Sequence, residues 1–175
     1  MPTSSSSGKK QIVQWATTKK INKVLDVGCG MGTYPTLLKV ENPILKTATW
    51  WGIEAWQKYI DEFNLKSLYD NILNEDARTV DWSALPDFDL VIFGDVLEHM
   101  TKEESKKLVI NALIKSKYVV ISIPIIFSPQ GEHEGNPFEI HVKPDWSHEE
   151  VLETFPKIVS SWKGKKIGVY FLENV

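Results

Sequence analysis

The fold of this chain is decided by residues 24–33, which read Val24-Leu25-Asp26-Val27-Gly28-Cys29-Gly30-Met31-Gly32-Thr33. An apolar run enters this stretch, three glycines alternate through it, and a helical pattern with Pro35 in its first turn follows it. The pattern predicts a strand, a tight turn and the N-terminus of a helix. Glycine tolerates positive φ and has no Cβ, so such a turn lets the backbone come close to a bound ligand.

Two details distinguish this turn from other glycine-rich turns, which nicotinamide and flavin enzymes also use. The spacing is G-x-G-x-G, with Thr33 where the dinucleotide-binding fingerprint has its third glycine. Asp26 stands two residues before Gly28, at the end of an apolar strand, where a buried carboxylate needs turn amides or a cationic ligand as donors. The segment resembles motif I of the class I S-adenosylmethionine-dependent methyltransferases. A nicotinamide-binding Rossmann domain is the alternative.

The composition indicates one domain without a membrane span. The chain has 175 residues, enough to bury roughly 70% of its unfolded surface, and its net charge of −3 gives no electrostatic reason to bind nucleic acid or a membrane. Cys29 is the one cysteine and cannot form an internal disulfide, and no apolar run approaches the ~20 residues of a membrane helix. We expect a cytoplasmic protein with a disordered Ser-rich tail over residues 1–8 and a single domain over residues 9–175.

Strand and helix patterns alternate along the chain and end in a hairpin, as they do in the methyltransferases that motif I resembles. Helical patterns separate the strands before the hairpin, which favours parallel crossovers. The near-continuous apolar run of residues 88–94 is typical of a central strand buried on both faces. We therefore predict an α/β, doubly wound, Rossmann-like sheet of seven strands, mainly parallel, with one antiparallel strand inserted by the C-terminal hairpin. The predicted strands are 23–27, 47–54, 71–74, 88–94, 117–123, 158–162 and 166–172.

Two capping boxes and one long loop mark the second half of the chain. Thr101 to Glu104 and Ser147 to Glu150 both have the spacing in which the two side chains bond each other's backbone amides, so each predicts the start of a helix. Residues 125–145 between them form an irregular stretch with three prolines and two histidines. Loops of this length are usually functional or disordered.

Polar residues follow the predicted strands, and open α/β sheets bind their ligands at the carboxyl ends of the strands. The family resemblance implies that Glu54 accepts hydrogen bonds from two ribose hydroxyls, and that Asp76 accepts one from the adenine amino group with the Ala77 backbone nearby. Gly94 and Asp95 would lie under the methionine moiety. The residues expected to bind S-adenosylmethionine, which leaves as S-adenosylhomocysteine, are Asp26, Gly28, Gly30, Gly32, Glu54, Asp76, Ala77, Gly94 and Asp95.

The residues after the fourth predicted strand indicate the chemistry. Residues 93–100 read Phe-Gly-Asp-Val-Leu-Glu-His-Met and lack the Asn/Asp-Pro-Pro-Tyr/Phe tetrapeptide of enzymes that methylate amide or adenine nitrogens. No Pro-Cys is present, which argues against carbon-5 methylation of cytosine. Asp-Val-Leu-Glu-His instead resembles the small-molecule and quinone-pathway branch of the family, in which the acceptor is often an oxygen. We expect His99, His141 and Glu98 to be catalytic, with a neutral histidine as the base.

A divalent metal at this place is not expected but stays open. In some metal-using relatives, including ubiquinone-pathway and small-RNA-terminus O-methyltransferases, an acid-x-x-Glu-His motif joins a later histidine around magnesium. Asp95, Glu98 and His99 would match, with His141 or His133 as the fourth ligand, although those relatives carry Glu at the place of Asp95. Magnesium prefers oxygen ligands, so the histidines argue for a softer ion or for no metal. Alternatively, Glu98 and His99 only cap and pack the turn.

Three functional hypotheses follow from this reading. The first is a methyltransferase acting on an oxygen, or a nitrogen, of a small molecule or sugar. The second is a non-catalytic S-adenosylmethionine-binding accessory module, because no residue proves turnover. The third is a metal-dependent O-methyltransferase acting on an RNA end. We expect a small-molecule acceptor, no membrane and no nucleic acid, with a homodimer or a partner subunit as a further source of acceptor-site residues.

Overall fold

One seven-stranded sheet organises the part of the chain that the structure describes. The computed structural model describes residues 5–174 and, at Ile44, only the backbone. The strands are β1 Lys23–Val27, β2 Thr49–Ile53, β3 Asn71–Leu73, β4 Phe88–Gly94, β5 Ser116–Pro124, β6 Ile158–Lys163 and β7 Ile167–Glu173. The α-helices are α1 Lys9–Thr17, α2 Thr33–Glu41, α3 Pro43–Lys46, α4 Gln57–Glu62, α5 Lys102–Lys115 and α6 His148–Thr154. None of the described helices is both long and apolar enough to span a bilayer.

The strand order of the sheet is β3-β2-β1-β4-β5-β7-β6. β1 is parallel to β2 on one side and to β4 on the other, and β4 is parallel to β5. β7 is antiparallel to both β5 and β6. The predicted doubly wound sheet with one antiparallel strand from the C-terminal hairpin is therefore confirmed. The order changes direction between β1 and β4, and the carboxyl ends of such strands flank the crevice in which this class of sheet binds ligands.

Apolar layers cover both faces of the sheet. Leu90 and Ile92 of β4 belong to one layer, Val91 and Phe93 to the other, and all four side chains are fully buried. This double burial explains why the sequence of β4 is nearly continuous in apolar residues. Close packing on both faces holds the strand in place, so the polar residues that follow its end have defined positions.

Two local predictions need correction. The helix after the glycine turn ends where Asn42-Pro43 predicts, but a further short helix, α3, starts at Pro43 because proline is well suited to the first turn of a helix. The second capping box forms only in part. The Ser147 hydroxyl accepts from the Glu150 amide, whereas the Glu150 carboxylate pairs with Lys102 and Lys143. Two ammonium groups stabilise that carboxylate better than one backbone amide does.

The N-terminal residues 5–8 form a turn that leads into α1. The Ser5 amide donates to a carboxylate oxygen of Asp95 at 3.0 Å, and Gly8 precedes the helix with a φ of 81°. α1 buries Ile12 and Ala16 in one apolar layer, as the helical pattern predicts. Residues 1–4 of the predicted disordered tail lie outside the described residues, and its disorder stays a prediction.

Candidate functional site

A cavity of about 260 Å³ lies at the carboxyl ends of β1, β2 and β4. The glycine turn forms one wall, and the loop of residues 125–145 forms the opposite wall. Asp26 and Gly32 are outside the lining: Asp26 lies beneath the turn, and Gly32 caps α2. Ten of the predicted site residues line the cavity together: Gly28, Gly30, Glu54, Asp76, Ala77, Gly94, Asp95, Glu98, His99 and His141.

The turn between β1 and α2 requires glycine for its conformation. Gly28, Gly30 and Gly32 have φ values of 72°, 50° and 72°, a region that side chains with a Cβ rarely adopt. Space is also limiting, because a Cβ on Gly28 would lie 2.2 Å from a methyl group of Val96. The Gly28 amide donates to the Ile53 carbonyl at 2.8 Å, which anchors the turn to the end of β2.

Asp26 is a buried carboxyl beneath this turn, with 1% of its surface exposed. The sequence predicts turn amides or a cationic ligand as its donors, but the hydroxyl of Tyr69 donates to Oδ2 at 2.6 Å instead. Its Oδ1 has no hydrogen-bond partner among the described residues. Burial raises the pKa of Asp26 to about 8, although the hydrogen bond from Tyr69 acts in the opposite direction.

Glu54 connects the end of β2 to the glycine turn. Its Oε2 accepts from the Gly30 amide at 2.9 Å, and its Oε1 accepts from the Trp56 amide at 2.9 Å. Burial raises the pKa of Glu54, while the two backbone hydrogen bonds lower it. Each carboxylate oxygen can accept more than one hydrogen bond, so Glu54 can hold the turn in place and still receive donors from a ligand.

Asp76 and Ala77 follow β3 at another edge of the cavity. Arg78 forms a bidentate pair with the Asp76 carboxylate, with Nε–Oδ1 and Nη2–Oδ2 distances of 3.0 and 2.6 Å. Burial raises the pKa of Asp76, but the hydrogen bonds from Arg78 outweigh it and hold that pKa below its usual value. The Ala77 carbonyl accepts from the indole of Trp82. The adenine contacts of both residues stay predictions, and no pattern in the sequence indicated Arg78 as the partner of Asp76.

Gly94 and Asp95 end β4 at the centre of the cavity. A Cβ on Gly94 would lie 2.0 Å from the ring of Tyr34, so the ring packs directly on the backbone there. Asp95 has a φ of 57°, which is uncommon outside glycine and often marks a functional turn. Its amide donates to the Ser122 carbonyl at 2.8 Å, and its Oδ2 accepts from the Ser5 amide.

Two histidines face each other after β4, although they are far apart in sequence. The rings of His99 and His141 have centroids 4.8 Å apart and are nearly perpendicular. Nδ1 of His99 donates to the Ile140 carbonyl at 3.2 Å, and Nδ1 of His141 donates to the Ser128 carbonyl. A carbonyl only accepts, so Nδ1 of each ring carries the proton and Nε2 holds the lone pair. Burial and the charge of His141 lower the pKa of His99, which favours the neutral ring.

Glu98 completes a cluster with the two histidines. One ligand atom from each of Glu98, His99 and His141 lies within 4.8 Å of the others. Glu98 is 1% exposed, and its Oε2 has no hydrogen-bond partner among the described residues. Burial, and after it the negative charge of Asp95, raise the pKa of Glu98 well above its usual value. We call these three residues the His–Glu cluster.

The structure does not bring the other suggested metal ligands into the His–Glu cluster. Among the described residues, Asp95 is outside the cluster, and its carboxylate accepts from Ser5 and Ser122 instead. His133 lies in the loop, where its backbone pairs with Asn136. Among the described residues, neither of them joins Glu98, His99 and His141 in one set of ligand atoms.

The loop of residues 125–145 crosses the cavity from β5 to α4. Its Glu139 accepts from the hydroxyl of Tyr59 at 3.2 Å and from the amide of Gln130 at 3.1 Å. Phe138 packs edge-on against Trp56, with centroids 6.4 Å apart. The loop therefore covers both the His–Glu cluster and the end of β2. Its length predicted a functional role, but no local sequence signal predicted that α4 is its partner.

Comparison with known proteins identifies the fold. No family model and no curated protein sequence matches the chain. Its structure is similar to the N-terminal domain of EvdMO1, solved with S-adenosylhomocysteine bound, with 15% identity, a TM-score of 0.68 and coverage of 97% of this chain and 82% of that one. It is also similar to PH0226 from Pyrococcus horikoshii, at 18% identity, a TM-score of 0.69 and coverage of 95% and 87%. The chain has the fold of the class I S-adenosylmethionine-dependent methyltransferases.

A further similar structure has this methyltransferase fold and a known ligand. Magnesium protoporphyrin IX methyltransferase from Synechocystis, solved with bound S-adenosylmethionine, is 16% identical with a TM-score of 0.62. The alignment covers 95% of this chain and 77% of that one. The resemblance predicted from residues 24–33 is thus confirmed at the level of the fold, and the strand ends that this fold uses for its ligands are those around the cavity.

Proposed function

We propose that this chain is an S-adenosylmethionine-dependent methyltransferase that methylates an oxygen, or a nitrogen, of a small molecule or sugar. The observation that carries the proposal is one cavity with two chemically different ends. The glycine turn and Glu54 form one end, and the His–Glu cluster forms the other. A ligand site next to two histidine rings, each with Nδ1 bonded to a carbonyl, suits transfer to an acceptor that must lose a proton.

The residues around the glycine turn fit the cofactor. Gly28 and Gly30 line the cavity without side chains, so the turn offers backbone to a ligand there. Glu54 offers carboxylate oxygens at the end of β2, where ribose hydroxyls need acceptors. Beneath the turn, Oδ1 of buried Asp26 has no hydrogen-bond partner among the described residues. The bound S-adenosylhomocysteine of EvdMO1 and S-adenosylmethionine of the protoporphyrin enzyme agree with this choice of ligand.

The two histidines supply the acid–base step. S-adenosylmethionine supplies a methyl group on sulfonium, and transfer forms a carbon–oxygen bond while the electron pair of the carbon–sulfur bond leaves on sulfur. Nε2 of His99 or His141 accepts the proton of the acceptor hydroxyl, since Nδ1 of each ring is already bonded to a carbonyl. Glu98 lies beside the two rings with its Oε2 unpartnered among the described residues, and the loop of residues 125–145 lines the cavity opposite the glycine turn.

Mutation of the two histidines tests the proposal. We expect His99→Ala and His141→Ala to lower the release of S-adenosylhomocysteine by roughly 10²–10⁴-fold in a screen of phenols, sugars and amines. Cofactor affinity measured by calorimetry should stay nearly unchanged. His133→Ala, in the same loop but outside the His–Glu cluster, is the matched control. If both histidine variants turn over at the wild-type rate, positioning of the substrates is the only catalytic contribution. If the wild-type chain binds the cofactor but turns over none of the acceptors, an accessory module is favoured.

A divalent metal at the His–Glu cluster is the second candidate, which one observation favours. Both rings present Nε2 while a backbone carbonyl holds Nδ1, which is how second-shell groups orient metal-binding histidines, and Glu98 adds a buried oxygen nearby. Two nitrogens and one oxygen suit zinc or manganese better than magnesium. A metal-dependent enzyme should lose activity in EDTA and regain it with one of these ions. Activity that resists EDTA supports the general-base mechanism instead.

A further inference from the structure

Lys9 is a buried lysine that the proposed chemistry does not use. It begins α1 with 6% of its surface exposed, although lysine is rarely buried without a partner. Its Nζ donates to the Tyr34 hydroxyl at 3.0 Å and lies 4.4 Å from the centroid of that ring. Burial lowers the pKa of the ammonium, and the carboxylates of Asp95 and Asp26 counteract this effect.

Lys9 is not among the residues that line the cavity, but its contact with Tyr34 connects it to one end of the cavity. Tyr34 lines the cavity and packs on the backbone of Gly94 at the end of β4. Ser5, four residues before Lys9, also lines the cavity and bonds Asp95. The N-terminal turn therefore brings an ammonium group and a phenol to the junction of the glycine turn and β4.

The charges at this junction suit an amino-acid group. The amino-acid end of S-adenosylmethionine carries an ammonium, which suits the Asp95 carboxylate, and a carboxylate, which needs positively charged or neutral donors. Arg78, a cation in the cavity lining, lies after β3 and is paired with Asp76. Lys9 supplies positive charge beside β4 instead. Its Nζ and the Tyr34 hydroxyl, 3.0 Å apart, can each donate to one oxygen of the same carboxylate.

We infer that Lys9 and Tyr34 bind the α-carboxylate of the amino-acid end of the cofactor. The inference rests on the proposed function, since it concerns how the same site holds S-adenosylmethionine. The glycine motif does not mark Lys9, which precedes Gly28 by almost twenty residues.

Calorimetry with two ligands separates this role from a structural one. The ligands are S-adenosylhomocysteine and its decarboxylated analogue, which keeps the amine and lacks only the carboxylate. We expect Lys9→Met to weaken binding of S-adenosylhomocysteine by roughly 10- to 100-fold, the range for hydrogen bonds to charged groups, and to leave binding of the analogue unchanged. Lys10→Met, at the exposed neighbouring position, is the matched control and should change neither affinity.

Each other outcome is decisive. Equal losses for both ligands, or no loss for either, would overturn the inference and leave the proposed function intact. A wild-type chain that binds neither ligand would instead overturn the proposed function, and the inference with it. If thermal unfolding shows that Lys9→Met does not fold, Tyr34→Phe makes the same test. Tyr34→Phe should weaken binding of S-adenosylhomocysteine by roughly 2- to 10-fold and leave binding of the analogue unchanged. An equal loss of affinity for both ligands would refute the carboxylate contact.

Discussion

The buried carboxyl of Asp26 should make stability depend on pH in a way that one substitution removes. Burial raises its pKa in the folded chain from 3.8 to about 8. Between these values the folded chain keeps the proton and the unfolded chain loses it, so the unfolded state binds one proton fewer. The free energy of unfolding then falls as pH rises, by about 1.4 kcal/mol per pH unit. The stabilisation that the Asp26 proton gives to the folded chain is fully present only below the pKa of the unfolded chain.

Asp26→Asn removes the titration and preserves the acceptor for Tyr69. The asparagine carbonyl can still receive the hydroxyl of Tyr69, which lies 2.6 Å from the carboxylate in the wild-type chain. From pH 5 to pH 7.5 the stability of the variant relative to wild type should rise by about 3 kcal/mol, slightly less than the product of the slope and the interval because pH 7.5 approaches the folded pKa. The assay is urea unfolding at several pH values, with the free energy taken by linear extrapolation.

The comparison has a matched control and one refuting result. Asp87→Asn changes a carboxylate whose side chain is 88% exposed. The difference in unfolding free energy between this variant and wild type should therefore not change with pH to a comparable extent. A difference between Asp26→Asn and wild type that stays constant from pH 5 to pH 7.5 would refute the reasoning. Asp26 would then be ionised in the folded chain, with Lys9 as the counter-charge.

Two further substitutions test the walls of the cavity. Glu54→Ala should weaken S-adenosylhomocysteine binding by about 1.5–3 kcal/mol, because it removes charged acceptors at the end of β2; an unchanged Kd in calorimetry would show that Glu54 does not hold the ligand. Gly94→Ala should lower stability by about 1–3 kcal/mol, since its Cβ would lie 2.0 Å from the Tyr34 ring. Urea unfolding measures the loss, and Gly131→Ala, with no atom within 4 Å of the added Cβ, is the control.

The strands that carry the site were predictable because their signals are local. The bounds of β1 and β4 agree with the predicted 23–27 and 88–94, since each is an apolar run that ends in glycine or enters the glycine turn. The amphipathic period of α4 places Tyr59 and Ile60 in the interior as expected. Parallel pairing then follows from the alternation of strands and helices, which brings the carboxyl ends to one side.

The partners of the site residues were not predictable, because they come from distant parts of the chain. Tyr69 lies 43 residues from Asp26, and Tyr34 lies 25 residues from Lys9. Nothing in the composition of either segment marks such contacts, which exist only after β3 and α1 pack beside the glycine turn. Tyrosine before β3 is equally consistent with ordinary core packing. A buried Asp at the end of a strand indicates that a donor is needed but not which residue supplies it.

The loop of residues 125–145 contacts both histidines of the His–Glu cluster and also covers the end of β2. Its carbonyls at Ser128 and Ile140 hold Nδ1 of His141 and His99, so the backbone of the loop decides which nitrogen of each ring has the lone pair. The same loop carries Glu139, which bonds Tyr59 above the end of β2. A shift of the loop would therefore disturb both rings and the cover of the cavity together. If this loop also shapes the acceptor pocket, as we propose, one segment of the chain would set both the shape of that pocket and the nitrogen of each histidine that carries the lone pair.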